Sequence, residues 1–323
     1  MTAALINMRN TIPSLAIVIP CYNEQEVLPE TSSRLISLMQ SYKDENMVTE
    51  DSYILLVDDG SKDNTWEQIE ALSRTHPEFR GLKLSRNFGH QHALMAGLHQ
   101  ADDVTITVSV DADLQDDLNA IHEMILKYQQ GAEIVYGVRD DRGSDSVFKR
   151  SSALLFYKIL SWMGVESVYN HADFRLMSQV ALTAFRQFGE SNVYLRGIIP
   201  MLGYNSDTVY YKRTERFAGT SKYNLKKMLS LAWNGISSLS IRPLRFVTFC
   251  GFSIFSISIL LSLYALYSYL FRETSIGWTS TVLPIYFLGG IQLLCIGLLG
   301  EYVAKIYKEV KQRPKYIIEK MIR

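Results

Sequence analysis

Two long uncharged segments near the C-terminus constrain the fold of this 323-residue chain most strongly. Residues 246–271 and residues 274–300 contain no charged side chain, and each run exceeds the ~20 residues that a helix needs to cross a bilayer core. Two adjacent runs of this kind are improbable in a soluble protein. We therefore expect a two-helix transmembrane hairpin, with helices at about 246–271 and 280–303.

The charges beside these runs predict how the hairpin is oriented. Residues 212–245 contain eight basic residues and one acidic residue, and residues 301–323 contain seven basic and three acidic residues. The short connection between the runs has only Arg272 and Glu273 as charged residues. Because positively charged flanks stay in the cytoplasm, we expect a multi-pass protein of the inner (cytoplasmic) membrane with both termini cytoplasmic. No secretory signal peptide is evident before residue 15, which fits the same orientation.

The segments on either side of the hairpin complete a division into four parts. Residues 1–215 form a cytoplasmic domain, residues 216–243 a loop with juxtamembrane amphipathic helices, residues 244–308 the hairpin, and residues 309–323 a basic cytoplasmic tail. The stretch 224–241 is typical of an interfacial helix, although a helix of the soluble domain remains an alternative. Basic residues at these positions predict contact with anionic membrane lipids.

The first domain has the alternation of strands and helices that is typical of an α/β fold. Apolar runs predict strands at 15–20, 53–59, 81–86, 104–111 and 132–138. Helices are expected to begin near Glu24, Asp63, Gly89 and Asp117. Since the strands are continuously apolar, we expect both faces of their sheet to be covered by other elements. This indicates a Rossmann-like, mostly parallel sheet.

Four strand ends carry polar motifs, and these predict one ligand-binding crevice. The motifs are PCYNE at 20–24, DDGSKDNT at 58–65, SRNFG at 85–89 and DADLQ at 111–115. In parallel sheets of this kind, ligands bind beyond the carboxyl ends of the strands. Each motif alone is also typical of a turn or a helix cap, but the four in order favour a shared site.

The last of these motifs predicts a cation site. Asp111 and Asp113 are two residues apart, so on an extended strand end they would point to the same side and share a hard cation. Mg²⁺ or Mn²⁺ commonly joins one or two carboxylates to the phosphates of a substrate, which here suggests a diphosphate. We expect Asp116 and Asp117 instead to complement the start of the next helix.

Other classes of function are disfavoured. The chain has neither a GKS/T phosphate loop nor a GxGxxG motif after its first strand. Its formal net charge is zero, so no global field indicates a nucleic-acid partner. The three cysteines, Cys21, Cys250 and Cys295, have no spacing typical of disulfide frameworks or zinc sites.

Together, the motifs resemble a known family. VIPCYNE, VDDGSKDNT, LSRNFG and DADLQD are similar to the catalytic domain of inverting family 2 glycosyltransferases with a GT-A fold. DFRLM at 173–177, RFAGTSKYN at 216–224 and the paired apolar runs narrow the resemblance to polyisoprenyl-phosphate glycosyltransferases. Within these, the chain looks most like bactoprenol (undecaprenyl-phosphate) glucosyltransferases, which modify the O-antigen of lipopolysaccharide.

The resemblance implies roles for particular residues. Positions that match the nucleotide-sugar site are Pro20, Tyr22, Asn23, Glu24, Asp58, Asp111 and Ala112. Positions that match the divalent metal site (Mg²⁺ or Mn²⁺) are Asp111, Asp113 and Gln115. Positions that match catalytic or phosphate-facing residues are Asp113, Asp173, Arg139 and Arg150. Positions that match the site for the lipid phosphate, including the active-site loop, are Arg150, Ser151, Arg216, Ser221, Lys222 and Tyr223.

The implied reaction is inverting transfer of a hexose, with glucose favoured, from a UDP-sugar donor to undecaprenyl phosphate. Because the acceptor phosphate is already ionised near neutral pH, no strong general base is needed. Asp173 either assists that phosphate or is a structural partner for Arg175. A different donor sugar (mannose, an aminoarabinose derivative, galactose or an N-acetylhexosamine) stays open, as does a non-catalytic nucleotide-binding membrane scaffold. The resemblance also implies a homo-oligomer, namely a tetramer.

Overall fold

The computed structural model describes residue 9 and residues 11–140, 171–190, 194–212, 242–271 and 278–323. These residues separate into two compact units. The larger unit contains the described residues up to 212 together with residues 314–323, and the smaller unit contains the described residues from 242 to 313.

The larger unit alternates strands and helices along most of its length. Its strands are β1 (Leu15–Cys21), β2 (Tyr53–Asp58), β3 (Phe79–Leu84), β4 (Ile106–Ser109), β5 (Ile134–Arg139), β6 (His171–Ser178), β7 (Ser206–Tyr211) and β8 (Ile318–Ile322). Its helices are α1 (Leu28–Asp44), α2 (Thr65–Thr75), α3 (His90–Gln100), α4 (Ala120–Gln129), α5 (Gln179–Arg186) and α6 (Leu195–Met201).

The eight strands form one mostly parallel sheet in the order β7-β5-β6-β4-β1-β2-β3-β8. Strands β1 to β5 and β7 run in the same direction, whereas β6 and β8 are antiparallel to their neighbours. The carboxyl ends of six strands therefore lie at one edge of the sheet. The first residues of β6 lie at this same edge, which brings Asp173 to the ends of β4 and β5.

Apolar helices cover both faces of the sheet. Along β1, Leu15, Ile17 and Ile19 pack with α1, α2 and α4 on one face, while Ala16 and Val18 pack with α3, α5 and α6 on the other. All residues of β1 are buried, as expected for a central strand of a doubly covered sheet. The prediction of a GT-A-like α/β fold with a mostly parallel sheet is therefore confirmed.

Helix α3 approaches the sheet closely because it carries a glycine at the contact. A Cβ atom added to Gly97 would lie 2.3 Å from Cγ1 of Val18 and 2.9 Å from Cγ2 of Val57. Neither distance is compatible with van der Waals packing, so the absent side chain sets the distance between α3 and strands β1 and β2. The position of α3 matters for the site because its first turn carries His90 and Gln91.

Strand β4 is shorter than predicted, and this changes the geometry of the acidic motif. The strand ends at Ser109, with one further backbone hydrogen bond from Val110 N to Val18 O. Asp111 and Asp113 lie in the turn that follows, where Leu114 has a φ of 56°. The prediction of a strand reaching Asp111 was wrong, because the chain turns away from the sheet once pairing with β1 and β6 ends.

Three strands were not predicted from the sequence. β6 and β7 extend the sheet beyond β4 and enclose β5, and β8 pairs antiparallel with β3 at the opposite edge. Strand β8 lies within the segment predicted as a basic tail. Lys83 of β3 forms an ion pair with Glu319, and Lys320 forms one with Glu70 of α2, so charges of this segment are paired within the larger unit.

The described residues of the smaller unit include two long helices, α7 (Arg242–Phe271) and α8 (Trp278–Val310). The predicted helices at 246–271 and 280–303 lie within α7 and α8. Gly251 and Ile254 of α7 and Leu288 and Ile291 of α8 line a groove that the two helices share. Among the described residues, one segment, Phe287–Val310, is long and apolar enough to cross a membrane, with a mean hydropathy of 1.6.

Candidate active site

The loops after β1 and β2 hold one another in place through side-chain to backbone hydrogen bonds. Ser61 Oγ accepts from Asn23 N at 3.0 Å, and Asn23 Oδ1 accepts from Lys62 N at 2.8 Å. Thr65 Oγ1 accepts from Glu24 N at 2.9 Å. Asn23 has a φ of 55°, a backbone conformation that asparagine tolerates better than most residues. These contacts bring the predicted nucleotide-binding residues of the two loops together.

The side chains of these loops differ strongly in exposure. Pro20 is buried in β1 beside Val57, whereas the Tyr22 side chain is 40 % exposed. Tyr22 is thus an apolar ring presented to solvent at the carboxyl edge of the sheet. The ring follows Cys21, whose partner in β2 carries a buried carboxylate, and a ring and a carboxylate at one edge are suitable for contacting a heterocyclic base.

That carboxylate belongs to Asp58, the last residue of β2, which is completely buried. Its Oδ1 accepts a hydrogen bond from Ser61 N at 3.1 Å, but Oδ2 has no partner among the described residues. Burial raises the pKa of Asp58, while the hydrogen bonds from Ser61 and the charge of Lys83 lower it. A buried acceptor without a partner is costly, so a ligand that donates a hydrogen bond to Oδ2 would relieve that cost.

The neighbouring carboxylate, Asp59, has a structural role that the sequence did not indicate. Its Oδ1 accepts from Phe88 N at 2.7 Å and its Oδ2 accepts from Gly89 N at 2.9 Å. Asp59 therefore fixes the loop that leads into α3. Gly60 permits this approach, because a Cβ there would lie 2.4 Å from the backbone of Arg86.

The acidic turn after β4 concentrates negative charge at the centre of the edge. The pKa of Asp111 is raised to about 6, chiefly by burial and further by the charges of Asp173, Asp116 and Asp113. The charge of His90 lowers it. Asp113 Oδ1 accepts from Gln115 N at 3.3 Å. The turn is anchored to α1, because Thr31 Oγ1 donates to the carbonyl of Ala112 at 3.0 Å.

The predicted metal ligands are close in the chain but do not form a complete protein cage. Asp111, Asp113 and Gln115 all belong to the turn after β4. Among the described residues, no three His, Cys, Asp or Glu side chains are arranged as a metal site. The crowding of carboxylates around Asp111 is nevertheless the charge distribution that a bound divalent cation neutralises.

Asp173 lies beside this turn and is surrounded by donors. Its oxygens accept from Arg175 Nη2 at 2.6 Å, from Gln91 Nε2 at 3.0 Å and from Arg196 Nη2 at 3.3 Å. Burial alone would raise the pKa of Asp173, but His90 and the two arginines hold it well below its usual range. The carboxylate is therefore ionised and engaged, which is the environment of an ion-pair partner.

His90 lies between the carboxylates of Asp111 and Asp173. Its Nε2 atom is 3.5 Å from Oδ1 of Asp111 and 3.6 Å from Oδ2 of Asp173. Burial alone would lower the pKa of His90, but the two carboxylates raise it. The imidazole thus lies between the acidic turn and the network around Asp173.

Arg139, the last residue of β5, lies next to the same turn. Its Nη2 donates to Oδ1 of Asp116 at 3.3 Å, and its Nε donates to the hydroxyl of Tyr211 at 3.2 Å. Asp116 is buried and was predicted to complement a helix start. That prediction was wrong, because its carboxylate points into the contact with Arg139 and Tyr211. Asp117 Oδ1 instead accepts from Asn119 N at 3.0 Å, one residue before α4.

Six of the predicted site residues lie outside the described residues. They belong to residues 141–170 and 213–241 and are Arg150, Ser151, Arg216, Ser221, Lys222 and Tyr223. Their proposed contacts with the lipid phosphate stay predictions.

The sequence did not predict the contacts that four side chains make with the carboxylates and Arg139 of the site. These side chains are His90, Gln91, Arg196 and Tyr211. His90 and Gln91 follow SRNFG directly, so their place at a strand end was a usable signal. Arg196 and Tyr211 depend on α6 and β7, which the sequence did not predict. Their contribution could be found only once the strand order was known.

Comparison with known proteins shows which family the chain resembles. Residues 16–185 match the model of the family described as "Glycosyl transferase family 2". The chain is 49 % identical over 313 residues to "Uncharacterized glycosyltransferase YkoT" of Bacillus subtilis (strain 168), covering 97 % of this chain and 93 % of that protein. It is 39 % identical over 310 residues to "SfII prophage-derived bactoprenol glucosyl transferase" of Shigella flexneri, covering 95 % of this chain and 97 % of that protein.

Among solved structures, mannosyl-3-phosphoglycerate synthase from Rubrobacter xylanophilus aligns with a TM-score of 0.48 and 14 % identity. The alignment covers 72 % of this chain and 74 % of that one. The family assignment depends on the sequence matches, which extend over nearly the whole length of both chains. These matches show that the chain belongs to glycosyl transferase family 2.

Proposed function

We propose that this glycosyltransferase moves glucose from UDP-glucose to undecaprenyl phosphate at the cytoplasmic face of the membrane, with inversion at the anomeric carbon. The observation that carries the proposal is that parallel strands bring three groups to one edge of the sheet. Asp58 and Arg139 are the last residues of β2 and β5, and the Asp111–Gln115 turn follows β4. This edge offers a buried acceptor for a base, carboxylates for a cation and a guanidinium for phosphate oxygens.

The nucleotide half of the donor is assigned to the loops after β1 and β2. Oδ2 of Asp58 is a suitable acceptor for the N3–H group of uracil, and Tyr22 offers a ring for stacking. Asn23 and Glu24 hold this loop against the loop after β2 through their backbone and side-chain hydrogen bonds. The proposed donor is therefore a uridine diphosphate sugar.

The diphosphate half is assigned to the acidic turn with Mg²⁺ or Mn²⁺. Asp111, Asp113 and Gln115 would hold the metal together with diphosphate oxygens, since Mg²⁺ often takes only one or two carboxylates from the protein. The raised pKa of Asp111 supports this fit, because burial of its carboxylate and, after it, the charges of the neighbouring carboxylates raise it. A bound divalent cation supplies charge neutralisation for the leaving diphosphate.

The transfer step requires little acid–base chemistry from the protein. A phosphate monoester is ionised near neutral pH, since its second pKa is about 6. The lipid phosphate can thus attack the anomeric carbon directly, and inversion follows from attack opposite the departing diphosphate. Arg139 would stabilise charge on that diphosphate, with Arg150 proposed to face both phosphates. Asp173 would orient this edge through Arg175 and Arg196 while remaining ionised.

The acceptor is proposed to reach the site from the membrane. Relatives such as the Shigella flexneri protein are named bactoprenol glucosyl transferases, which supports both glucose and a polyprenyl phosphate acceptor. In the smaller unit, α7 and α8 expose large apolar side chains, among them Phe249, Phe252, Leu260, Phe287, Leu293 and Ile296. Exposed apolar surface of this extent favours a lipid environment. We propose that both helices cross the membrane as a hairpin with both ends in the cytoplasm.

The experiment that tests the function is a transfer assay with the purified full-length protein and undecaprenyl phosphate. Labelled UDP-glucose, UDP-galactose, UDP-N-acetylglucosamine and GDP-mannose are supplied separately with Mg²⁺ or Mn²⁺, and label is measured in the extracted lipid. We expect transfer from UDP-glucose. Transfer from only one of the other donors would show that the enzyme uses that sugar instead of glucose. UDP binding without transfer from any donor would favour a nucleotide-binding scaffold.

A further inference from the structure

Three side chains, two from the ends of strands and one from a loop, meet beside the acidic turn. Arg139 ends β5 and Tyr211 ends β7, and the two residues are paired in the parallel register of these strands. Asp116 comes from the loop between β4 and α4. The Tyr211 hydroxyl donates to Asp116 Oδ1 at 2.5 Å and accepts from Arg139 Nε at 3.2 Å, while Arg139 Nη2 donates to the same carboxylate oxygen at 3.3 Å.

Arg139, Asp116 and Tyr211 form a triad. The triad is rigid because the two partners of Arg139 are buried. Asp116 is 3 % exposed and Tyr211 is 4 % exposed. The Tyr211 ring packs edge-on against Phe174, with ring centroids 5.2 Å apart. The side chain of Arg139 is 20 % exposed, so its guanidinium is held from the inside and is still accessible from the crevice.

The bonds within the triad fix the orientation of the guanidinium. An arginine side chain has several rotatable bonds, and binding an anion normally costs the entropy of ordering them. Here Nε and Nη2 are both engaged by buried acceptors, which removes that freedom before a ligand arrives. Preorganisation of this kind improves affinity without adding a contact to the ligand.

We propose that Tyr211 and Asp116 are positioning residues that hold Arg139 ready for the diphosphate of the donor, an inference that rests on the proposed function. In this proposal Tyr211 contacts neither the diphosphate nor the sugar. It acts only through Arg139, directly and through Asp116. Removing its hydroxyl should therefore weaken diphosphate recognition while leaving recognition of the nucleoside unchanged.

The test compares binding of UDP and of uridine, each with Mg²⁺, to the full-length wild type and to Tyr211→Phe. The substitution removes the hydroxyl and keeps the ring that packs on Phe174. We expect UDP to bind roughly tenfold more weakly, as for other residues that support a ligand-binding group, and uridine to bind with unchanged affinity. Tyr210→Phe is the matched control, because Tyr210 is the neighbouring residue in β7 and is 66 % exposed.

A double-mutant cycle separates positioning from general stabilisation. In an Arg139→Lys background, Tyr211→Phe should cause no further loss of UDP affinity, because the guanidinium that Tyr211 orients is gone. Thermal unfolding verifies that each variant is folded, and Asp116→Asn replaces Tyr211→Phe if the latter does not fold.

Two results would overturn the inference. One is wild-type affinity for UDP in Tyr211→Phe, and the other is an equal loss of affinity for UDP and uridine. Failure of the wild type to bind UDP at all would instead overturn the proposed function, and the inference with it.

Discussion

Nη2 of Arg175 donates a hydrogen bond of 2.6 Å to Oδ1 of Asp173, and both side chains are buried where β6 meets the carboxyl edge of the sheet. Arg175 also donates to the carbonyl of Leu195, which is the first residue of α6. The pair thus connects β6 to the helix that carries Arg196. Since the Asp173 carboxylate receives several donors and has a low pKa, its contribution is to orient cationic groups.

Replacing this carboxylate should destabilise the larger unit. Asp173→Ala leaves the buried Arg175 guanidinium without its counter-charge, which typically costs about 3–5 kcal/mol. Urea unfolding followed by tryptophan fluorescence measures the loss of unfolding free energy. Asp113→Ala is the matched control, since Asp113 is half-buried in the turn, and we expect it to cost less than about 1 kcal/mol. Wild-type stability in Asp173→Ala would contradict the account.

Oδ2 of Asp58, which has no partner among the residues that the structure describes, leads to a prediction about nucleotide binding. Asp58→Asn removes the negative charge of the carboxylate that we propose accepts a hydrogen bond from the uracil N3–H group. A hydrogen bond to a charged group is worth about 1.5–3 kcal/mol, so UDP affinity should fall roughly 10- to 100-fold. Calorimetric titration measures this change, and Glu50→Gln, at an exposed position, provides the control. An unchanged dissociation constant for UDP in Asp58→Asn would remove Asp58 from the nucleotide site.

His99 predicts how stability depends on pH. Burial, Lys315 and Arg186 lower the pKa of His99 to about 4, and its Nδ1 is 3.0 Å from the hydroxyl of Tyr316. The unfolded chain, with an ordinary pKa near 6.5, binds the proton more readily than the folded protein does. The stabilisation from neutral His99 is therefore present above pH 6.5 and is lost as the pH falls towards 4.

The measurement is the free energy of urea unfolding between pH 7 and pH 4. The contribution of His99 should be about 2–3 kcal/mol over this range. His99→Gln keeps a group that can bond to Tyr316 but does not titrate, so its stability should depend less on pH. The exposed His122 supplies the control, His122→Gln. Equal pH dependence in His99→Gln and the wild type would refute this prediction.

The close approach of α3 to the sheet should be sensitive to a single methyl group. In Gly97→Ala the new Cβ collides with Val18 and Val57, so α3 must shift, at a cost of about 1–3 kcal/mol. The shift should also lower activity, because α3 carries His90 and Gln91. Gly189→Ala is the control, since a Cβ there meets no atom within 4 Å. The free energy of unfolding and the transfer rate are compared, and a neutral Gly97→Ala would contradict the packing argument.

The sequence predicted the part of the fold that is determined by local patterns. Strands β1, β2 and β5 were placed to within two residues at each end, because each is a compact apolar run that ends in polar residues. The position of Asp58 at a strand end followed directly from this pattern. Strand β4 was overextended because Val110 and Asp111 continue the apolar–polar sequence while the backbone already turns.

Contacts between distant segments were not predictable in the same way. Asp116 resembles a helix-capping residue locally, and only the pairing of β5 with β7 places Tyr211 above it. Strand β8 has a charged and half-exposed sequence, IEKMI, and becomes a strand because the edge of β3 offers backbone hydrogen bonds. The role of His90 likewise depends on β6, which brings Asp173 to the acidic turn from the opposite direction.

The most direct test of the central claim is the metal dependence of transfer by the wild type and Asp113→Asn. Purified protein is treated with chelator, Mg²⁺ or Mn²⁺ is added back in steps, and glucose on undecaprenyl phosphate is measured. We predict that the wild type loses transfer with chelator and regains it with metal, while Asp113→Asn remains roughly 100-fold or more slower at saturating metal. Transfer that persists in chelator, or wild-type rates in Asp113→Asn, would contradict the account.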